Sequence, residues 1–155
     1  MPTKEKFWNE PVGHLPLQTP LKLSSTATIS EAIKAMQKKK TGCVLVVDKD
    51  KLVGIFTERD VMLHFVGTSM PNDTPLKQVM TPEPVTLDPK TIVSEAINFF
   101  GQKHFRHLPI CDSNQKILGL LSVRVMMDFM AEHLPGEVLN LPPEEGLVST
   151  EIVGG

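Results

Sequence analysis

The chain has 155 residues, 41% hydrophobic and 22% charged, with a formal net charge of −2. That composition suits a globular protein of one domain, or of two small halves sharing a core. It excludes general attraction to nucleic acid or to an anionic membrane surface, and no apolar run approaches the roughly 20 residues of a membrane span.

Residues 1–10 carry charge without periodicity and read as a lead-in whose Trp8 packs on the body. The start, Met1 to Lys6, lacks the apolar core of a signal peptide, so the expected compartment is the cytoplasm. From residue 11 the chain reads as a first unit to 67, a polar, proline-bearing link over 68–75, a second unit over 76–131, and a tail over 132–155.

The two units repeat. Pro20-x-x-Leu23 returns as Pro84-x-x-Leu87, and Ser30-Glu31-Ala32-Ile33 returns as Ser94-Glu95-Ala96-Ile97, both 64 residues on. After one inserted residue the spacing becomes 65, matching Gly54 with Gly119, Arg59 with Arg124 and Met62 with Met127. Repetition of this kind specifies the architecture before any single motif does.

Within each unit an extended segment follows the proline. A helix comes next, with Ile29, Ala32, Ile33 and Met36 on one face, mirrored by Val93, Ala96, Ile97 and Phe100. Thr28-x-x-Glu31 supplies a capping box for the first. Two short apolar runs follow, Cys43 to Val47 and Leu52 to Phe56, matched by His107 to Cys111 and Ile117 to Leu121. A last helix carries Val61, Met62 and Phe65 in one unit, and Met126, Phe129 and Met130 in the other. The pattern is α+β, two β-α-β-β-α motifs packed face to face, since about 60 residues alone bury only a marginal core. In the tail, Leu134-Pro135-Gly136 ends the last helix, and Leu139, Leu141, Leu147, Ile152 and Val153 are the residues able to anchor the tail to a surface of the body.

The stretch Gly54-Ile55-Phe56-Thr57-Glu58-Arg59-Asp60 joins a strand to a helix start. Thr57-x-x-Asp60 has two readings. One is a capping box that only begins a helix. The other is a nucleotide site, in which helix N–H groups attract phosphate while the Asp60 carboxylate accepts from two ribose hydroxyls.

With these motifs in order, the chain resembles a tandem pair of cystathionine β-synthase (CBS) domains, a Bateman module. Val79-Met80-Thr81-Pro82, Pro84-Val85-Thr86-Leu87, Phe105-Arg106-His107-Leu108-Pro109-Ile110 and the Gly54–Asp60 stretch carry the resemblance, which covers about residues 11–131. It implies that the two motifs are packed with pseudo-two-fold symmetry and two clefts between them, in a stand-alone regulatory module that is usually a homodimer. It also implies an adenosyl ligand, AMP, ADP or ATP before S-adenosylmethionine or NADH, no required cofactor, and an unknown regulated protein as partner. Carried over by residue, Asp60 holds the ribose, Thr57 the phosphate side, Ile55 and Phe56 line the cleft, and Val85 faces the base. Arg106, His107 and Arg124 face the phosphates, two guanidinium forks and an imidazole suited to that role. The second cleft, with Ser122, Arg59 and Leu21, is weaker: Val125 replaces the acid and Gly42 replaces Arg106.

No catalytic set is present: His104-x-x-His107 lacks further ligands for zinc, Cys43 and Cys111 sit in apolar runs as free thiols, and no phosphate loop occurs. The sequence reads as a binding module without enzyme activity. The alternative is a ligand-free dimerisation scaffold of the same fold, using the apolar helix faces around Met62, Phe65, Met126, Met127 and Phe129.

Overall fold

In a computed structural model the described residues, 4–133, fold as two halves that exchange their leading segments. α1 (Lys4–Trp8) precedes β1 (Leu21–Leu23), α2 (Ile29–Lys39), β2 (Cys43–Asp48), β3 (Lys51–Thr57) and α3 (Glu58–His64). After β4 (Thr81–Pro82) come α4 (Val93–Lys103), β5 (His107–Cys111), β6 (Ile117–Ser122) and α5 (Val123–His133). Leu134 and the anchor residues named beyond it lie outside the described residues.

The α2 face forms as its spacing requires: Ile29, Ala32 and Met36 are buried and Ile33 packs beside them. Its start is the capping box, with the Glu31 N–H donating to Thr28 Oγ1 at 3.1 Å and the Thr28 N–H donating to Glu31 Oε2 at 3.3 Å. In α4 Val93 and Ala96 are buried, with Ile97 and Phe100 against the same core. The last helix of the first unit differs from expectation at one position, and that of the second packs Met126, Phe129 and Met130 as read. Val61 and Phe65 pack inward, but Met62 is 68% exposed, and Met127 likewise points away while Met126 and Phe129 are buried.

The first sheet runs β1-β2-β3-β4, with β1 parallel to β2 and the other pairs antiparallel. The second has β5 antiparallel to β6. The leading strand of the second motif shrinks to a single parallel bridge, Leu87 to Ile110. Leu87 donates to the Pro109 carbonyl and accepts from the Cys111 N–H, both at 3.0 Å. The next ladder bond toward Val85 requires an N–H at residue 109, and proline has none.

The exchange is read from the hydrogen bonds. The single-turn 3₁₀ helices Val12–His14 and Leu76–Gln78 each follow a proline, and each docks on the opposite motif. The Val12 N–H donates to the Thr91 carbonyl at 2.7 Å, as the Leu76 N–H does to Ala27 at 2.8 Å. Further along, Gln18 and Leu120 exchange two bonds at 3.0 Å, while β4 pairs with β3. Val12 and Leu15 thus complete the second motif's core, and Leu76 and Val79 complete the first. Trp8 packs half-buried on the second core as expected, edge-on at 4.8 Å to Phe7, which is the more deeply buried residue of the lead-in. Cys43, Leu45 and Leu120 form a third cluster that joins the sheets.

Candidate functional site

β3 delivers its last residues to alternate sides, as any strand does. Ile55 packs half-buried against the cluster between the sheets. Phe56, read from sequence as a cleft residue, is only 1% exposed and sits inside the first motif's core. Adjacent strand residues cannot line one surface together, so Phe56 offers nothing to a ligand. Thr57 ends the strand in extended geometry and begins α3.

Thr57 and Asp60 form a capping box. The Thr57 N–H donates to Asp60 Oδ2 at 2.9 Å, and the Thr57 hydroxyl donates to the same oxygen at 3.2 Å. Such a cap contributes about 1 kcal/mol to the helix start. Both bonds fall on Oδ2, and Oδ1 accepts from no protein group among the described residues. At the matching start of α5, Ser122 Oγ accepts from the Val125 N–H at 3.1 Å without help from an acid. Val125 is instead 8% exposed and part of the second core. Leu21, read as part of the second cleft, is buried in the first motif's core and presents little surface there. Arg59 is exposed.

The two motifs repeat one more contact at this level. The Glu58 N–H donates to the Gly42 carbonyl at 3.0 Å, and the Val123 N–H donates to the Arg106 carbonyl at 3.0 Å. His107 lies directly opposite Ser122 in the β5–β6 ladder. The structure therefore groups His107 and Arg106 with the α5 start, whereas the sequence reading divided His107 and Ser122 between clefts. The link to the α3 start is Glu58, whose charge is felt at His107 across the two motifs. Burial holds the His107 imidazole below its ordinary value of 6.5; Glu58 pushes it back up and Arg106 pushes it further down. His107 is thus neutral at pH 7, with one N–H to donate.

Arg106, Arg124 and Val85 are exposed, and the two guanidinium groups make no ion pair among the described residues. Among the described residues no ion pair or hydrogen bond joins Arg124 to Asp60. The placement of Glu58 was not read from sequence, because an acid in a first helical turn is ordinarily a response to the helix dipole. Its signal was the glycine at 42: a Cβ there would lie 2.7 Å from the Glu58 carboxyl carbon.

Cys43 stands opposite Thr57 in the β2–β3 ladder and within reach of the Asp60 charge. Burial, reinforced by that charge, pushes its thiol up to about 12, so it remains protonated and poorly nucleophilic. Cys111 is raised by burial too, and both cysteines are free. Among the described residues no three metal-ligating side chains converge, and no helix is long and apolar enough to cross a membrane. An open groove of about 580 Å³ runs between α2 and α3, lined by Ile33, Met36, Lys40, Glu58, Val61 and Met62 among others. It excludes Asp60 and is mainly apolar, a surface better matched to side chains than to a nucleotide.

Comparison with known proteins gives a CBS domain match at residues 12–67 and again at 76–132. The chain is 32% identical over 108 residues to the CBS domain-containing protein YhcV of Bacillus subtilis, covering 67% of this chain and 77% of that one. It is also 32% identical over 104 residues to the CBS domain-containing protein CBSCBSPB1 of Arabidopsis thaliana; the match takes in 66% of this chain and spans only 19% of that protein's length. In structure it is similar to the CBS domain protein PAE2072 of Pyrobaculum aerophilum, solved in complex with AMP. The TM-score is 0.68 at 24% identity, with coverage of 74% of this chain and 88% of that one.

Proposed function

The chain belongs to the CBS-domain family, as a pair of CBS repeats, and from that premise we propose that it is a regulatory module binding an adenosyl ligand, with AMP, ADP or ATP as the preferred class. The observation that carries this reading is the Thr57–Asp60 pair. A carboxylate used only as a cap is satisfied through Oδ2, and Asp60 keeps Oδ1 open beside the N–H groups of a helix start. Oδ1 is the acceptor for the ribose hydroxyls, and Thr57 serves the phosphate side. Arg106 and His107 receive the phosphates; Arg124, Ile55 and Val85 complete the set. The corner built on Ser122 and Arg59 is the weaker one, because Val125 supplies no acceptor.

AMP in the Pyrobaculum relative supports the ligand class by analogy of fold. The signal passes to a partner protein when a ligand prefers one arrangement of the two halves over another. The module works as a homodimer, through Met62, Leu63 and Val66 of the first half and Met127 of the second, all at least 60% exposed. No catalytic step is assigned to it, and its place is the cytoplasm.

Thermal unfolding with and without millimolar AMP, ADP, ATP, S-adenosylmethionine and NADH tests the reading. A ligand at 100 times its Kd adds about 2.7 kcal/mol of stability. A shift for one adenosyl compound that disappears in Asp60→Ala supports the sensor; no shift for any leaves the ligand-free scaffold as the function.

A further inference from the structure

Ile33, Met36 and Lys40 fall on one face of α2, three and four residues apart, with Val61 and Met62 of α3 across from them. Between the two helices lies the open groove of about 580 Å³. The second motif is built differently at this level. In the places of Met36, Thr41 and Val61 it has Phe100, Phe105 and Met126, larger side chains that pack on the second core. The smaller residues of the first motif leave the space open, and Met62 borders it at 68% exposure. Apolar surface of this kind gains free energy when a segment covers it.

Charge marks one end of the groove. Lys38, Lys39 and Lys40 end α2 and Lys34 lies one turn earlier; all four are exposed, and none has an acidic partner among the described residues. Glu58 is the one acid among the described residues lining the groove. A large opposite charge lies elsewhere in the sequence. Residues 134–155 hold Glu137, Glu144, Glu145 and Glu151 and no lysine or arginine, so they contribute −4 to the formal net charge of −2 and leave the rest of the chain at +2. Their apolar residues stand beside those acids: Leu147 and Val148 follow Glu144-Glu145, and Ile152 and Val153 follow Glu151. The reach is sufficient. The 14 residues from His133 to Leu147 can span about 45 Å. A compact body of roughly 130 residues is only about 35 Å across.

We propose that the groove between α2 and α3 is the docking site of this chain's own last segment. The apolar residues from Leu147 to Val153 lie over Ile33 and Val61, and Glu144 and Glu145 meet the lysines that end α2. A second copy laid groove to groove would instead bring those lysines toward their own counterparts, which like charges oppose. The docking stands apart from the adenosyl reading, since it uses neither Asp60 nor Arg106.

A nitroxide on the segment and methyl-labelled methionines test this in the full chain. Cys43 and Cys111 are buried, so a thiol introduced by Ser149→Cys takes the nitroxide selectively. Gly155→Cys, beyond the apolar residues, repeats the measurement with the label clear of the seat. The Met36 and Met62 methyl signals should lose most of their intensity relative to the reduced label, while Met127 and Met130 of α5 keep theirs. Glu144→Gln with Glu145→Gln, or about 1 M salt, should return part of the lost intensity. Full Met36 and Met62 signals with the label at either position overturn the docking, as does loss confined to Met127 and Met130. A mixed sample then pairs methyl-labelled chain free of nitroxide with nitroxide-bearing chain free of methyl label. No loss in the mixture confirms that the segment lies in its own groove; loss of the Met62 signal there gives the groove to a neighbouring copy's segment and overturns the assignment.

Discussion

Gly119 lies directly beneath Leu17, so that a Cβ on the glycine would fall 2.6 Å from the Cβ of Leu17. Gly54, its repeat counterpart, lies beneath Met80, whose Cγ would be 2.8 Å from such a Cβ. Each glycine admits the segment that crosses from the other half. The obstructing atom differs, however: at Gly119 it adjoins backbone, and at Gly54 it belongs to a flexible side chain. Gly119→Ala is therefore expected to cost about 2–3 kcal/mol and Gly54→Ala about 1 kcal/mol in urea unfolding. Equal and negligible costs would show that the crossing segments are not packed as described.

Asp60→Ala and Val125→Ala separate binding from stability. The first removes a cap, lowering stability without ligand by about 1 kcal/mol, and abolishes the ligand-induced thermal shift. The second truncates a buried residue, costing roughly 1–2 kcal/mol, and leaves the shift intact. Unfolding with and without AMP reads both quantities. A ligand shift retained in Asp60→Ala removes Asp60 from the site.

The periodic parts of this chain were legible because apolar spacing records burial: Ile29, Ala32 and Met36 sit where their pattern puts them. The paired strands were legible for the same reason, and two copies of one pattern made the pseudo-symmetry plain. β3 was not legible in detail, since Ile55 packs between the sheets while Phe56 fills the first core. When both faces of a strand are covered, apolar residues cease to mark which face is which. The exchange of leaders was hidden as well. Val12 and Leu76 are isolated apolar residues after a proline, with nothing local to name their partners. At the candidate site the Thr57–Asp60 pair could be read directly, whereas the fold of Glu58 over Gly42 could not, since the two are 16 residues apart in sequence.

Acid should weaken the fold in two separate windows. His107 is held below 6.5 chiefly by burial, so the unfolded chain takes up its proton first and stability falls as pH drops below 6.5, until the folded value is reached. Asp48 is held below 3.8 by the Ser25 hydroxyl and then the Ser25 N–H. Its contribution is present above 3.8 and is lost as pH falls through the lower folded value. Urea midpoints measured from pH 8 to pH 3 should fall less between pH 7 and 5 in His107→Gln, and less below pH 4 in Asp48→Asn. Parallel curves for a variant and the parent in its window would refute that assignment.

In the homodimer proposed above, the exposed residues Met62, Leu63 and Val66 at the end of α3 form the contact between copies. Leu63→Glu, at 60% exposure, leaves the monomer's core untouched and places a charge in that contact. Light scattering after gel filtration should show the parent as a dimer and Leu63→Glu as a monomer, with urea stability falling on dilution only in the parent. A parent that elutes as a monomer at tens of micromolar sinks the proposed interface.

Phe7 tests whether the lead-in belongs to the fold or merely precedes it. It is 2% exposed, stacks on Phe129 at a ring separation of 5.4 Å, and meets Trp8 edge-on at 4.8 Å. Phe129 in turn stacks on His133 at 4.0 Å, so the lead-in closes a column of rings that ends on the last helix. Phe7→Ala empties the centre of that column and should cost about 3 kcal/mol. The chain's only tryptophan is the neighbouring residue, so Trp8 fluorescence follows the local packing while circular dichroism follows the helices. In the parent the two probes should report one transition, since α1 shares a core with α4 and α5. In Phe7→Ala the Trp8 signal should unfold at lower urea than the helices, because α1 has only five residues and cannot persist without its anchor. Coincident and unshifted transitions in the variant would mean that the second core is complete without the lead-in.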